Sequence, residues 1–272
     1  MKTYQYVNIL SIDVVGGAVI CSLALAHLFS VQMPLEVPLV LGLTVWVIYT
    51  FDRLMDVKKS TQILYSARHD FHNRYFRLLA TGVVLALLLV LLLLFRLPEV
   101  TIVWGAIVGC SVLIYFFMLH MLHIKWLLHK ELMISIIYSA GLFIGPLSLY
   151  EGPLIEGHFV LFLHFVSIAL LNLLIFSLYD VDFDLAAGFP SIVVIVGEAR
   201  THILIQVLLF TAVGFLLLAG LLMPVPITLM VILGAMWLVL LFIYLLRTHT
   251  ALSHYYRWFG DGIFLFPLLY II

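Results

Sequence analysis

The chain has 272 residues; 65% are hydrophobic and only 10% charged, and the mean hydropathy is +1.24. That balance excludes a soluble globular domain and fits an all-α integral membrane protein, read as one transmembrane domain over 1–272. A net charge of −1 gives no ground for expecting a nucleic-acid partner.

Nine apolar segments follow in chain order, over roughly 7–29, 36–55, 78–95, 100–119, 132–150, 159–179, 203–222, 227–246 and 256–272. Most reach the ~20 residues that a bilayer-crossing helix needs. The last is short and starts at the polar run Tyr255-Tyr256-Arg257-Trp258. The first run is too long for a cleavable signal peptide, so none is expected. Cys21 and Cys110 fall inside apolar segments and read as packed side chains.

The connections alternate in character. One set is short and carries turn residues, as at Met33-Pro34, Leu97-Pro98, Gly152-Pro153 and Met223-Pro224. The other set is longer and basic, and holds twelve of the thirteen Lys and Arg residues; Arg96 is the exception. The positive-inside rule then predicts a cytoplasmic N-terminus and a multi-pass protein of the cell inner membrane, among lipid partners. The connections after the second and sixth segments run ~20 residues, long enough to carry function.

Those two connections begin with paired acids. Asp52 and Asp56 close the second segment; Asp180 and Asp184, with Asp182 between them, close the sixth. The i, i+4 spacing stacks each pair on one helix face, where like charges repel. Carboxylates at a membrane edge are costly, and a helix C-terminus disfavours them further. A divalent cation would offset both costs. Magnesium is bound through one or two carboxylates plus substrate phosphates, which points to a diphosphate ligand. The competing reading is solvated acids paired with Arg53, Lys58 or Arg200. The matching acids stand 180 − 52 = 128 and 184 − 56 = 128 residues apart. That offset predicts two similar four-helix halves, roughly 1–128 and 129–250, with 251–272 as a last helix, around a central cavity.

In these residues the chain resembles the UbiA superfamily of integral-membrane prenyltransferases, as a divergent member. That family has nine helices and two Asp-x-x-x-Asp motifs at the cytoplasmic ends of its second and sixth helices. Asp180-x-x-x-Asp184-x-x-x-Gly188-x-x-Ser191-Ile192, followed by Gly197, is similar to its second motif. The first motif keeps Asp52-Arg53-x-x-Asp56, but Ile48 and Tyr49 stand where the family has Asn-Asp. Phe176 replaces a common tyrosine, and the nearest counterpart of an Arg-Pro pair is Arg68-His69.

The resemblance implies Mg2+ held by Asp52, Asp56, Asp180 and Asp184 as catalytic and metal-binding residues. It implies transfer of an isoprenyl chain from an isoprenyl diphosphate to a hydrophobic acceptor, aromatic or lipid-like. Lys58, Arg68, Lys130, Tyr49 and Asp182 are the expected substrate-binding residues. Two alternatives stay open: a membrane terpene cyclase that needs no acceptor, and a non-catalytic lipid-binding or transport relative. Further polar residues are Asn8 and Asp13 in the first segment, Glu131 beside Lys130, and a local pair of Glu198 with Arg200. His254, Tyr255, Tyr256 and Asp261 receive no role from sequence.

Overall fold

The structure, a computed structural model, describes residues 3–59, 67–120, 130–187, 191–248 and 255–272. The described residues are helical throughout: α1 (Thr3–Ile9), α2 (Ile12–Leu28), α3 (Glu36–Lys59), α4 (Ala67–Arg74), α5 (Phe76–Leu94), α6 (Glu99–His120), α7 (Lys130–Ser148), α8 (Glu156–Tyr179), α9 (Val181–Ala187), α10 (Ile192–Val196), α11 (Glu198–Leu222), α12 (Ile227–Leu245), α13 (Tyr256–Gly262), a 3-10 turn (Ile263–Leu265) and α14 (Leu268–Ile271). Among them α3, α5, α6, α7, α8, α11 and α12 are long and apolar enough to cross a membrane. The chain is therefore an all-α, multi-pass membrane protein.

The first and ninth expected segments differ from a single long helix. The first is divided at Leu10–Ser11, where Ser11 takes a left-handed φ of 57° and leaves α2 only 17 residues long. The last is cut into α13, the 3-10 turn and α14, with Pro267 entering α14 as its N-cap. A proline cannot donate the hydrogen bond that would continue the helix through it. Pro98 precedes α6 and Pro226 caps α12, whereas Pro38 sits in the first turn of α3 and Pro146 inside α7.

The helix at the centre is α8. Of its apolar stretch 67% is buried, against 11% for α6 and 17% for α5. It packs against α7, α11, α12 and α13, while α2 packs on α3, α7 and the C-terminal turns. The main core runs through Leu161, Ile168, Leu171 and Ile175 of α8, with Leu142, Ile205, Leu233 and Leu240 around it. A smaller cluster of Val47, Leu54, Leu79 and Val83 joins α3 to α5. The exposed faces of α5 and α6 carry Leu, Val and Ile, as a lipid-facing surface requires. Cys21 is fully buried, whereas Cys110 lies on that outer surface rather than in the core.

The two ends of the bundle differ. At one end α3, α8 and α12 finish while α7, α11 and α13 begin. At the other, Arg96 lies 3.9 Å from Glu36 and the Thr101 and Ser148 hydroxyls bond at 2.7 Å. The two long connections are not bare loops, because one holds α4 and the other α9 and α10.

Candidate functional site

Both aspartate pairs lie at the first of these ends. Asp52 and Asp56 stay on one continuous helix, α3, one turn apart. The second pair straddles a bend. Asp180 is the C-cap of α8 and Asp184 belongs to α9, yet the Asp184 amide still donates to the Asp180 carbonyl at 2.8 Å. The i, i+4 relation therefore survives the bend.

Each pair meets one cation from the start of another helix. The Lys130 ammonium, at the first residue of α7, lies 3.7 Å from Asp52 Oδ2. The Arg257 guanidinium, in the first turn of α13, pairs with Asp180 Oδ2, and the Tyr256 hydroxyl donates to Asp180 Oδ1. Arg257 also stacks 5.2 Å from the Phe176 ring, and Tyr256 lies flat on Tyr179 with centroids 4.2 Å apart. The sequence positions repeat: 130 − 52 = 78 and 257 − 180 = 77. Lys130 also lies within the field of Asp56, one turn further along α3.

The electrostatics are uneven. Burial pushes the Asp184 carboxyl up to about 6; the nearby Ser191 hydroxyl opposes this, and the Asp180 charge adds to it. Asp52 Oδ1 is buried without a hydrogen-bond partner. The Tyr115 hydroxyl of α6 is likewise buried and unpartnered, within the field of Lys130 and Asp52.

Other expected residues fall in different places. Lys58 and Asp182 are exposed at the end of the bundle. The side chain of Arg68, and residues His254 and Gly188, lie outside the described set. Two of the expected pairings are replaced by others. Arg53 does not bridge to Asp52; its Nη1 donates to the Ile9 carbonyl, which the break between α1 and α2 leaves open. Glu198 pairs with Arg247 at 2.5 Å instead of Arg200; His202 joins that cluster through Nε2, 3.6 Å from Glu198 Oε1, while its Nδ1 meets the Tyr244 hydroxyl at 2.9 Å. Asp13 accepts from Asn8 at 2.6 Å and from the Val14 amide, so its charge is met locally.

Glu131 has a role its position in the sequence did not suggest. It is buried, and its Oε1 accepts from Ser177 at 3.1 Å and from the Ile192 amide at 2.9 Å. It thereby ties the start of α10 to α7 and α8, and Gly197 then turns the chain into α11 with φ 88° and ψ 155°. That conformation is almost closed to residues with a Cβ, which accounts for the glycine of the second motif.

Below the charged end lies a small, partly open pocket of about 20 Å3, room for about one water. Tyr49, Ser135, Tyr138, Asn172 and Asp261 supply its polar lining. Of these, Tyr49 was assigned a role from sequence and Asp261 was named without one. Gly260 brings α13 against α8 there, since a Cβ on it would stand 2.3 Å from Asn172 Oδ1 and 2.5 Å from the Phe176 ring.

No protein-family model, curated protein or solved structure matches the chain. Among the described residues, no three His, Cys, Asp or Glu side chains group closely enough to hold a metal by themselves. A magnesium ion shared with a diphosphate needs only one or two carboxylates, and the orphaned Asp52 Oδ1 is the atom that fits such an ion.

Proposed function

We propose that the chain is a UbiA-like, magnesium-dependent prenyltransferase. It would bind an isoprenyl diphosphate between Asp52, Asp56, Asp180 and Asp184 and pass the isoprenyl group to an acceptor inside the membrane. The observation that carries this reading is that two aspartate pairs, from the ends of α3 and α8, lie at the same end of the bundle and each meet one cation from the start of another helix. Acids and cations alternating at one bundle end suit a ligand that is itself an anion accompanied by a cation.

In this reading the cations neutralise the aspartates before substrate arrives. Lys130 and Arg257 then turn toward the diphosphate, where point-charge and forked recognition of phosphate oxygens are both available. Mg2+ shared between the diphosphate and one or two of these aspartates, Asp52 foremost, would supply Lewis-acid neutralisation of the leaving group. Phe176, Tyr179 and Tyr256 form an aromatic cluster beside Asp180 that already holds the Arg257 cation. The repeated spacing of acid and cation supports two similar halves and a nine-segment arrangement in which α1–α2 and α13–α14 complete the bundle. The basic connections place the site on the cytoplasmic side of the inner membrane.

The test uses the full chain in lipid nanodiscs with Mg2+ and a panel of isoprenyl diphosphates of increasing length. Wild type is expected to bind one and release diphosphate. Asp52→Ala and Asp180→Ala are expected to lower release at least a hundredfold while the protein stays folded. If wild type binds no member of the panel, the reading is wrong. A cyclase reading draws on Ile48 and Tyr49 in place of Asn-Asp; a cyclic hydrocarbon formed with no acceptor present would favour it.

A further inference from the structure

The head of α5 carries positive charge that the rest of the bundle leaves unmatched. Lys130, Arg53, Arg247 and Arg257 are each engaged by an acid or a backbone carbonyl. Arg74 and Arg77 are exposed, and among the described residues neither forms an ion pair. Asp70 stands one turn before Arg74, at the spacing of a helix ion pair. The Arg74 guanidinium instead lies over the Tyr75 ring, 5.8 Å from its centroid.

The two arginines share one face. The Tyr75 amide donates to the Phe71 carbonyl and the Leu79 amide to the Tyr75 carbonyl, both at 3.0 Å. The helical ladder therefore passes through the joint between α4 and α5, and residues three or four apart stay neighbours across it. Packing fixes the joint. The Phe71 ring lies 4.8 Å from Tyr75 and meets Tyr6 of α1 edge-on at 6.0 Å, and His72 is buried.

Further along α5 the same face is apolar. It continues through Leu78, Leu85, Leu88 and Leu92, each more than half exposed, while Leu79, Val83 and Ala86 point the other way, onto α3. From Leu78 to Leu92 the helix rises about 21 Å, more than the ~15 Å of hydrocarbon in one leaflet. One acyl chain can therefore lie along it from headgroup to midplane. Any lipid can cover such a stripe, but the arginines above it discriminate. Guanidinium forks match phosphate oxygens, and a zwitterionic headgroup brings its own cation to compete with them.

We propose that the head of α5 binds one anionic phospholipid, its phosphate held between Arg74 and Arg77 and one acyl chain laid along Leu78, Leu85, Leu88 and Leu92. Tyr75 lies at headgroup depth, where amphipathic rings settle. Because α5 begins at the end where α3 finishes, the lipid belongs to the leaflet nearest the aspartate pairs. The site is separate from those pairs and does not depend on prenyl transfer.

The test places the full chain in phosphatidylcholine nanodiscs, with Cys21 and Cys110 replaced by serine and a dye on Leu88→Cys. Trace phosphatidylglycerol or phosphatidylcholine carrying a tail fluorophore is added, and energy transfer to the dye is measured. A dye on Phe210→Cys, exposed on α11, reports lipid elsewhere around the bundle. At Leu88 the phosphatidylglycerol probe is expected to give the greater transfer; at Phe210 the two probes should be equal. Arg74→Gln and Arg77→Gln should each lower the preference about fivefold, and the double variant should abolish it. Both side chains are exposed, so these variants are expected to melt with wild type. Equal transfer from the two probes at Leu88, the same preference at Phe210, or a preference that survives in the double variant overturns the proposal. Excess inorganic phosphate should leave the lipid in place; its displacement would mean a site for the anion alone and would overturn the lipid assignment.

Discussion

At the residue scale, each carboxylate here is defined by what it touches. Asp180 has both oxygens engaged, by Arg257 and Tyr256, whereas Asp52 has Lys130 at 3.7 Å on one oxygen and nothing on the other. Removing Lys130 therefore strips Asp52 of its remaining partner. Lys130→Met is expected to destabilise the protein by about 1–3 kcal/mol. Adding Asp52→Asn should recover part of that loss, and a double-mutant cycle in thermal unfolding measures the coupling. Asp184 gives a pH test. Its carboxyl is raised above the ordinary range by burial, to about 6. For a raised acid the folded state favours the proton, so the group supports folding at low pH and that support is lost as pH rises through about 6. Asp184→Asn should accordingly raise the melting temperature at pH 7.5, raise it by about half as much at pH 5, and change it little below pH 4. A variant melting at or below wild type at pH 7.5 would contradict the burial argument.

At the element scale, short pieces of helix and the joints between them position the site. The α8–α9 bend keeps Asp184 a turn from Asp180, and Glu131 holds the start of α10. Gly197 sits at the joint with α11, in backbone space that side chains with a Cβ rarely enter. Gly197→Ala is expected to cost on the order of 1–3 kcal/mol, read from the unfolding midpoint, although nothing lies within 4 Å of the added methyl. The opposite case is Gly260, whose backbone is ordinary but whose surroundings are full. There an alanine would push α13 off α8, carrying Arg257 away from Asp180. Gly260→Ala should thus damage the site more than Gly197→Ala at equal loss of stability.

At the scale of the whole molecule, the bundle has one charged end and one sparsely charged end. Lys58 and Asp182 are exposed at the first and Arg96 at the second. Single cysteines at these three positions, in a background with Cys21 and Cys110 replaced by serine, should be labelled by an impermeant reagent from opposite membrane faces. Labelling of Lys58→Cys and Arg96→Cys from the same face would break the bundle orientation. The seven long helices fit the membrane by length, since 19 residues span about 28 Å and 24 about 36 Å against a hydrocarbon core of ~30 Å.

How much of this was legible beforehand follows from what a linear pattern can carry. Long apolar runs, the prolines between them and acids at the ends of two spans are local properties, so hydropathy and turn chemistry locate them directly. The breaks at Ser11 and within 256–272 were hidden, because a short apolar helix and a long one share the same composition. The partners of the acids were hidden for a stronger reason. Most of these helices are apolar all round, so no face marks which side turns inward. Arg257 on Asp180 and Asp261 beside Asn172 join residues 77 and 89 positions apart, and only the packing of α13 on α8 brings them together. Sequence alone thus determined a membrane bundle with two acidic pairs 128 residues apart. Tertiary structure decided which cation each pair meets, because that depends on the rotation of each helix about its own axis.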